Sequence, residues 1–553
     1  MRIFHHLSHN LILILLGALL FIPQWNHVHL FDWDEINFAE SAREMLVSGD
    51  YFRVQINYKT FWEKPPLFIW MQAISMAVFG INDFAARFPN AIAGIVTMLV
   101  LFHTGRKIYS IEFGYLWVLA YVGSFLPHFY FKSGIIDPFF NLFIFLSISQ
   151  LAYITSASKR QKEERLRHAA NAGLFAGLAI LTKGPVGFLI PVLCILVYFI
   201  IRKSFTLFKV KELVLFVVVA FLTSTLWFGV EFFKNGPFFL QEFIVYQIRL
   251  FSTPDAGHGG PFYYHWVVLL VGVFPASVFA LNSFKRQHSD NFRQRQFKRW
   301  TVVSLFVVLI LFSIVKTKIV HYSSFCYFPL TYLAAYCLIK VKYNRAPFSG
   351  FFAFLIILIG VIISALLIAL PLFLKNLPEL MPLLVEKVKD DFALANLQAK
   401  VYWSGWEIIP GVFLLIGVFA FIFIYRQSIV TSAMALFIAV VITIQVAMPV
   451  IVPKIEGYSQ RAAIDFYKSL QGKDVYVEVI GFKSYAHLFY TRKPIPVNPK
   501  SYDKGWLLTG EIDKPAYFVT KIGKEAELES LPDVKEVKRE NGFIIYRRLP
   551  SAQ

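Results

Sequence analysis

The chain has 553 residues, of which 57% are hydrophobic, 17% aromatic and only 16% charged. Soluble domains rarely look like this, and repeated apolar runs near bilayer length mark a protein with many transmembrane helices. The formal charge of +19 does not argue for nucleic acid, because most basic residues sit in short loops between apolar runs, where they set membrane orientation. Cys194, Cys326 and Cys337 lie in or beside apolar segments without paired spacing, so they suggest core thiols rather than a disulfide framework or a zinc site.

The first apolar segment, Leu11 to Pro23, ends in Gln24-Trp25-Asn26 without a small-residue cleavage pattern, and reads as a retained span. It opens onto LFDWDEINFAESAREML (residues 30–46), which carries Asp32, Asp34, Glu35, Glu40 and Glu44 in a chain that is cationic nearly everywhere else. From Asp34 onward this stretch fits an amphipathic helix, with Phe38, Ala39, Ala42, Met45 and Leu46 on one face. Its acids suit either capping or chemistry, and Asp32 with Glu35 three residues on can already serve as a capping-box variant. In FWEKPPLFIW (61–70), Glu63 and Lys64 precede two prolines that stop a helix. That is a stiff place to hold an anion, although a snorkelling pair would look the same.

Basic loops at 105–113, 158–168, 202–211, 282–300 and 340–345 are predicted cytoplasmic. The run 66–80 is too short to span and is placed in the outer interface, which brings the count to about thirteen spans with a cytoplasmic N-terminus. The acidic stretch, Asp137, Lys183, residues 234–262, Lys316 to Tyr322 and the C-terminal tail then share the outer face. Asp137, in SGIIDPFFNLF, heads a span, where an ionisable group is functional, paired or an N-cap. Lys183, in LTKGPVGFLIP, closes a helix at the same face, a position that suits a helix C-terminus as well as an anion.

The loop YQIRLFSTPDAGHGGPFYYHW (246–266) combines Arg249, His258 and three glycines, a composition able to cradle a phosphate. VKTKIVHYSSFCYFPL brings Lys316, Lys318, His321 and Tyr322 to the start of another span. Cations from distant segments meeting a carboxylate-rich helix at one face suit a reaction on a lipid-linked phosphate. From Lys454 the chain changes character. A helix at 459–472 and strands in DVYVEVIGF, PAYFVTK and GFIIYRR, the last entered through Asn541-Gly542, predict a soluble α/β domain over 454–553 beside a membrane domain over 1–453.

Seven motifs in order, DWDEINFAESAREMLVSGDYF, FWEKPPLFIW, FGINDFAARFPNAIAG, IIDPFFNLF, LTKGPVGFLIP, GHGGPFYY and KTKIVHYSSFCYFPL, resemble the bacterial aminoarabinose transferases over about the first 340 residues. These stand with the protein O-mannosyltransferases in the GT-C class of membrane glycosyltransferases. The resemblance implies a polytopic α-helical GT-C fold in a bacterial inner membrane. It also implies an undecaprenyl-phosphate-linked sugar donor, transfer on the periplasmic face, and an essential Asp in the first outer loop, here Asp34. Asn37 and Phe38 stand where the family carries Arg-Tyr, a departure that bears on the substrate.

On this reading the transfer is an inverting single displacement, with Asp34 as general base on an acceptor hydroxyl or phosphate or as stabiliser of the oxocarbenium-like charge, Glu35 tuning or positioning it, and Asp137 orienting a cation or the acceptor. Lys64, Lys183, Arg249 and Tyr322 are the expected donor-phosphate ligands, and Glu63, His258 and His321 the expected substrate contacts. The acceptor is a lipid, glycan or protein, as in a protein O-mannosyltransferase-like enzyme. A divalent cation is compatible with this chemistry, but no compact ligand cluster is present and no metal ligand is assigned. The competing class is a lipid or sugar transporter, which would place its ionisable residues near the midplane of an internally repeated bundle. A membrane anchor serving the tail would leave the charged constellation unexplained.

Overall fold

The computed structural model describes residues 2–23, 28–61, 63–204, 207–237, 241–245, 248–249, 259–284, 290–343 and 347–550. Helix α1 (Arg2–Phe21) leads to α2 (Asp34–Ser48), then to a two-stranded hairpin, β1 (Gln55–Ile56) and β2 (Lys59–Thr60), and to α3 (Leu67–Phe79) and α4 (Asp83–Ile108). At 13 residues α3 is about 20 Å long, short of the roughly 30 Å hydrocarbon layer. The hairpin turns through Asn57 and Tyr58, both left-handed at φ 57° and 54°. Tyr58 is held there because its N–H donates to Glu44 at 2.8 Å and its hydroxyl to the Lys493 carbonyl at 2.7 Å.

Among the described residues, 8 helices are long and apolar enough to cross a membrane, against about thirteen expected, and four shorter apolar helices accompany them. The difference has local causes. The run 111–131 breaks at Gly123 and Ser124 into Ile111–Val122, Phe125–Phe129 and a 3-10 turn, Tyr130–Lys132. Lys162–Lys183 begins with a charged turn, KEER. The helical stretch Val320–Lys342 has 94% of its apolar window buried, whereas those of Val210–Asn235 and Gly350–Lys375 are 22% buried. Gly173 and Gly177 let Lys162–Lys183 lie against Val210–Asn235, since a Cβ at either would collide with Phe216 or Thr223. That packing fixes where the helix ends, at Lys183.

The tail contains a four-stranded sheet in the order β3-β4-β6-β5, from β3 (Tyr476–Val479), β4 (Ala516–Lys521), β5 (Val534–Glu540) and β6 (Phe543–Arg548). β3 runs parallel to β4, and the other pairs are antiparallel. β5 does not read as a strand in sequence because nearly all of its side chains are polar and exposed. It is an edge strand whose charges and bulge at Val537 discourage further pairing. One hydrophobic core joins Ile36, Phe38 and Phe68 of α2 and α3 to Ile464, Phe489, Val519 and Ile545 of the tail. The composition changes at 453/454, but this outer core is continuous across that point.

Candidate active site

Asp34 is the first residue of α2 and makes no cap: the helix begins after Trp33 without a side-chain capping bond. The expected capping box is likewise not formed. Glu35 turns instead to tertiary partners, taking Arg87 Nε at 3.0 Å and Nη2 at 2.7 Å, the Phe31 N–H at 2.8 Å and the Gly134 N–H. Burial alone would raise the Glu35 carboxyl, but the Arg87 charge and these donors outweigh it and hold the group below its ordinary value. Grouped with the catalytic residues in sequence, Glu35 is therefore placed as a brace: its carboxylate is committed on both oxygens and reaches no open space.

Asp34 itself is more open, its side chain 39% exposed, with Oδ2 at 3.7 Å from His321 Nε2. The other ring nitrogen, Nδ1, shares a 2.7 Å hydrogen bond with the Tyr130 hydroxyl. Asp34, His321 and Tyr130 thus form a line from the helix start to the turn before Asp137. Tyr130 was not singled out in sequence, and its only signal there is its place in the aromatic run leading to Asp137.

Asp137 starts the helix Asp137–Ser156 and is buried; its Oδ1 takes Lys183 Nζ at 2.5 Å. The same ammonium lies 5.5 Å from the Phe140 ring centre and 5.6 Å from that of Tyr322. Tyr322 packs in turn on Phe312 at 5.1 Å. Lys64, just before Pro65 and Pro66, belongs to the same electrostatic neighbourhood. Burial pulls its ammonium below the ordinary value, while Glu63, Asp34 and Asp137 oppose the shift and Lys183 adds to it.

Asp34, Glu63, Lys64, Asp137, Lys183, His321 and Tyr322 are therefore neighbours. Arg249 is exposed, with the residues on both sides of 248–249 outside the described set, and His258 itself lies outside the described residues. Lys316 is exposed, whereas Lys318 turns inward and donates to the carbonyls of Phe312, Ser313 and Val315, capping the helix Phe292–Ile314 rather than joining the site. Asn37 and Phe38, the departure from the family pattern, are buried. Phe38 meets Phe68 edge-on at 5.9 Å, so these positions form core here and offer no open anion grip. Among the described residues no three His, Cys, Asp or Glu side chains converge as a metal-binding group.

A family model described as dolichyl-phosphate-mannose-protein mannosyltransferase matches residues 63–227. An undecaprenyl phosphate-alpha-4-amino-4-deoxy-L-arabinose arabinosyl transferase of Pectobacterium carotovorum is 28% identical over 330 residues, covering 59% of this chain and 58% of its own length. An uncharacterized protein of Aquifex aeolicus is 29% identical over 64% of this chain and 79% of its own. The crystal structure of ArnT from Cupriavidus metallidurans bound to undecaprenyl phosphate superposes with a TM-score of 0.79 at 18% identity, covering 98% of this chain and 99% of that one. The sequence matches thus span a little over half of the arabinosyl transferase, while the fold match spans nearly all of ArnT. The chain is thus similar in sequence to aminoarabinose transferases over a little more than half of its length, and it shares the fold of ArnT.

Proposed function

We propose that this protein is an integral-membrane glycosyltransferase that moves a sugar from an undecaprenyl-phosphate donor to a lipid, glycan or protein acceptor at the periplasmic face of a bacterial inner membrane. The observation that carries this reading is the meeting of Asp34, Asp137, Lys64, Lys183 and Tyr322 from separate segments of the chain. The named relatives and the ArnT structure with undecaprenyl phosphate support the donor class. The acceptor, the sugar and the orientation belong to the proposal.

Asp34 takes the proton of the acceptor hydroxyl as its oxygen bonds to the anomeric carbon. The bond from that carbon to the phosphate oxygen breaks at the same time, and undecaprenyl phosphate leaves with the electron pair. The leaving phosphate gains charge beside Lys64 and Lys183, whose ammonium groups are in place before the reaction begins. His321 meets Asp34 on one nitrogen and Tyr130 on the other, so it orients the base. Asp137 holds Lys183 at the phosphate side.

The test is release of undecaprenyl phosphate from a panel of undecaprenyl-phosphate sugars by purified protein in lipid nanodiscs. Loss of a general base costs about 10²–10⁴-fold, so a folded Asp34→Asn variant should release almost none. Equal turnover by that variant would remove Asp34 from the chemistry.

A further inference from the structure

Asp34 sits at the end of a short connector whose residues are gripped from two sides. From the membrane side, Arg87 of α4 donates to the carbonyls of Val28 at 2.7 Å and His29 at 2.9 Å and pairs with Glu35. From the other side come residues more than four hundred positions later in the chain. The Tyr490 hydroxyl accepts the Leu30 N–H at 2.7 Å and donates to Asp83 Oδ1 at 2.7 Å, which ties the connector to the first turn of α4. Gln460 donates to the Leu30 carbonyl at 2.9 Å and accepts the Asp32 N–H at 3.2 Å. His29 meets Glu456 at 2.6 Å, and Trp33 packs on Tyr485 at 5.0 Å with Lys483 Nζ 4.4 Å from its ring centre.

We infer that the C-terminal tail is a clamp that sets the position of Asp34, with Tyr490 and Gln460 as its positioning residues. This rests on the reading of Asp34 as the base. α2 enters without a side-chain cap, and apart from the Phe31 N–H bonded to Glu35 its start is left to tertiary partners. The connector backbone is satisfied instead by the tail and by α4, and the shared hydrophobic core holds the two layers together. Precision at a reacting carboxylate matters steeply, since misplacement by about 1 Å can cost on the order of 10²-fold in rate. A catalytic helix start left to its own first turn would fray over that distance.

Tyr490→Phe in the full-length chain is the decisive variant, because it keeps the ring, which meets His29 edge-on at 5.4 Å, and removes only the hydroxyl. Gln460→Met removes the second pair of bonds while keeping side-chain length. Tyr476→Phe, which loses a hydroxyl bonded to Asp513 elsewhere in the tail, is the control. The readouts are hydrogen–deuterium exchange of peptides covering residues 28–38, turnover and donor KM, and the thermal unfolding midpoint.

With the clamp in place, Tyr490→Phe and Gln460→Met should each speed exchange in that segment and lower turnover about tenfold at unchanged donor KM, with the unfolding midpoint falling only by the small amount expected for the lost buried hydrogen bonds. Tyr476→Phe should leave all readouts as in the wild type. Wild-type turnover or wild-type exchange in both clamp variants, with Asp34→Asn inactive, overturns the clamp alone. Wild-type turnover by Asp34→Asn overturns the base assignment and the positioning role with it.

Discussion

The Glu35–Arg87 pair offers the sharpest test of how the outer layer is held. Arg87 donates two hydrogen bonds to Glu35 and one each to the carbonyls of Val28 and His29, and both side chains are about 5% exposed. Replacing Arg87 with Leu leaves a buried carboxylate with only the Phe31 and Gly134 N–H groups for company. Breaking a buried pair from one side costs about 3–5 kcal/mol. Replacing both members with Leu removes the orphaned charge, so the double variant should lose less than the two single variants summed, by a coupling of about 0.5–3 kcal/mol.

The assay is thermal unfolding of purified full-length protein in one detergent at pH 7, with the order of midpoints wild type, then the double variant, then Arg87→Leu. Glu35 has a lowered folded pKa, so its contribution is present above its unfolded value of about 4.3 and is lost as pH falls through the folded pKa. The gap between wild type and Glu35→Gln should therefore close in acid. Strict additivity of the two Leu substitutions, or a gap that widens in acid, would refute the reasoning.

Three further outcomes follow from particular contacts. Glu44, buried and beside the charge of Glu40, is pushed up to about 9, so its stabilising protonated form is fully present below about 4.3 and is lost as pH rises toward 9; Glu44→Gln should flatten the decline of the unfolding midpoint across that window. Lys183→Met strands the buried Asp137 carboxylate, so it should lower both the midpoint and donor consumption, and Lys183→Met/Asp137→Asn should restore the midpoint but not the activity. Gly177→Val forces Lys162–Lys183 away from Thr223, and overpacking of this kind costs about 1–3 kcal/mol; circular dichroism melts of the variant should show that loss, along with reduced turnover through the displaced Lys183.

Much of the site was legible because membrane burial makes charge conspicuous. Asp137 and Lys183 stand out as ions at the ends of apolar helices, and Lys64 stands out against its prolines. Their mutual pairing was not legible, since 46 positions separate Asp137 from Lys183 and only the helix packing brings them together. Arg87 carried no signal of its own in sequence, and its partner Glu35 reads there as half of a capping box. A local rule gave way to a tertiary partner because a buried guanidinium offers a carboxylate more than one backbone N–H does. Tyr490 and Gln460 had no signal at all: a tyrosine in a small tail helix looks like core until the connector beneath it is seen. Lys318 reads in sequence only as one of the cations at the start of a span, because position along the chain does not tell a helix cap from an anion ligand.

The same contacts separate the roles of three carboxylates that look alike in sequence. Glu35 and Asp137 are buried and each is committed to a cation, so either could take a substrate proton only by giving up a partner in a poorly solvated place. Asp34 stands 39% exposed, 3.7 Å from an imidazole, and at that exposure an ion pair is worth about 0–1 kcal/mol. So weak a contact orients the carboxylate without consuming it. The two committed carboxylates hold Arg87 and Lys183 where they are needed, and the third is left able to accept a proton at the start of a helix that its own sequence does not cap. On the proposed reading of Asp34 as the base, the strong interactions place the base and the weak one orients it, the division expected where a group must be fixed in space and still react.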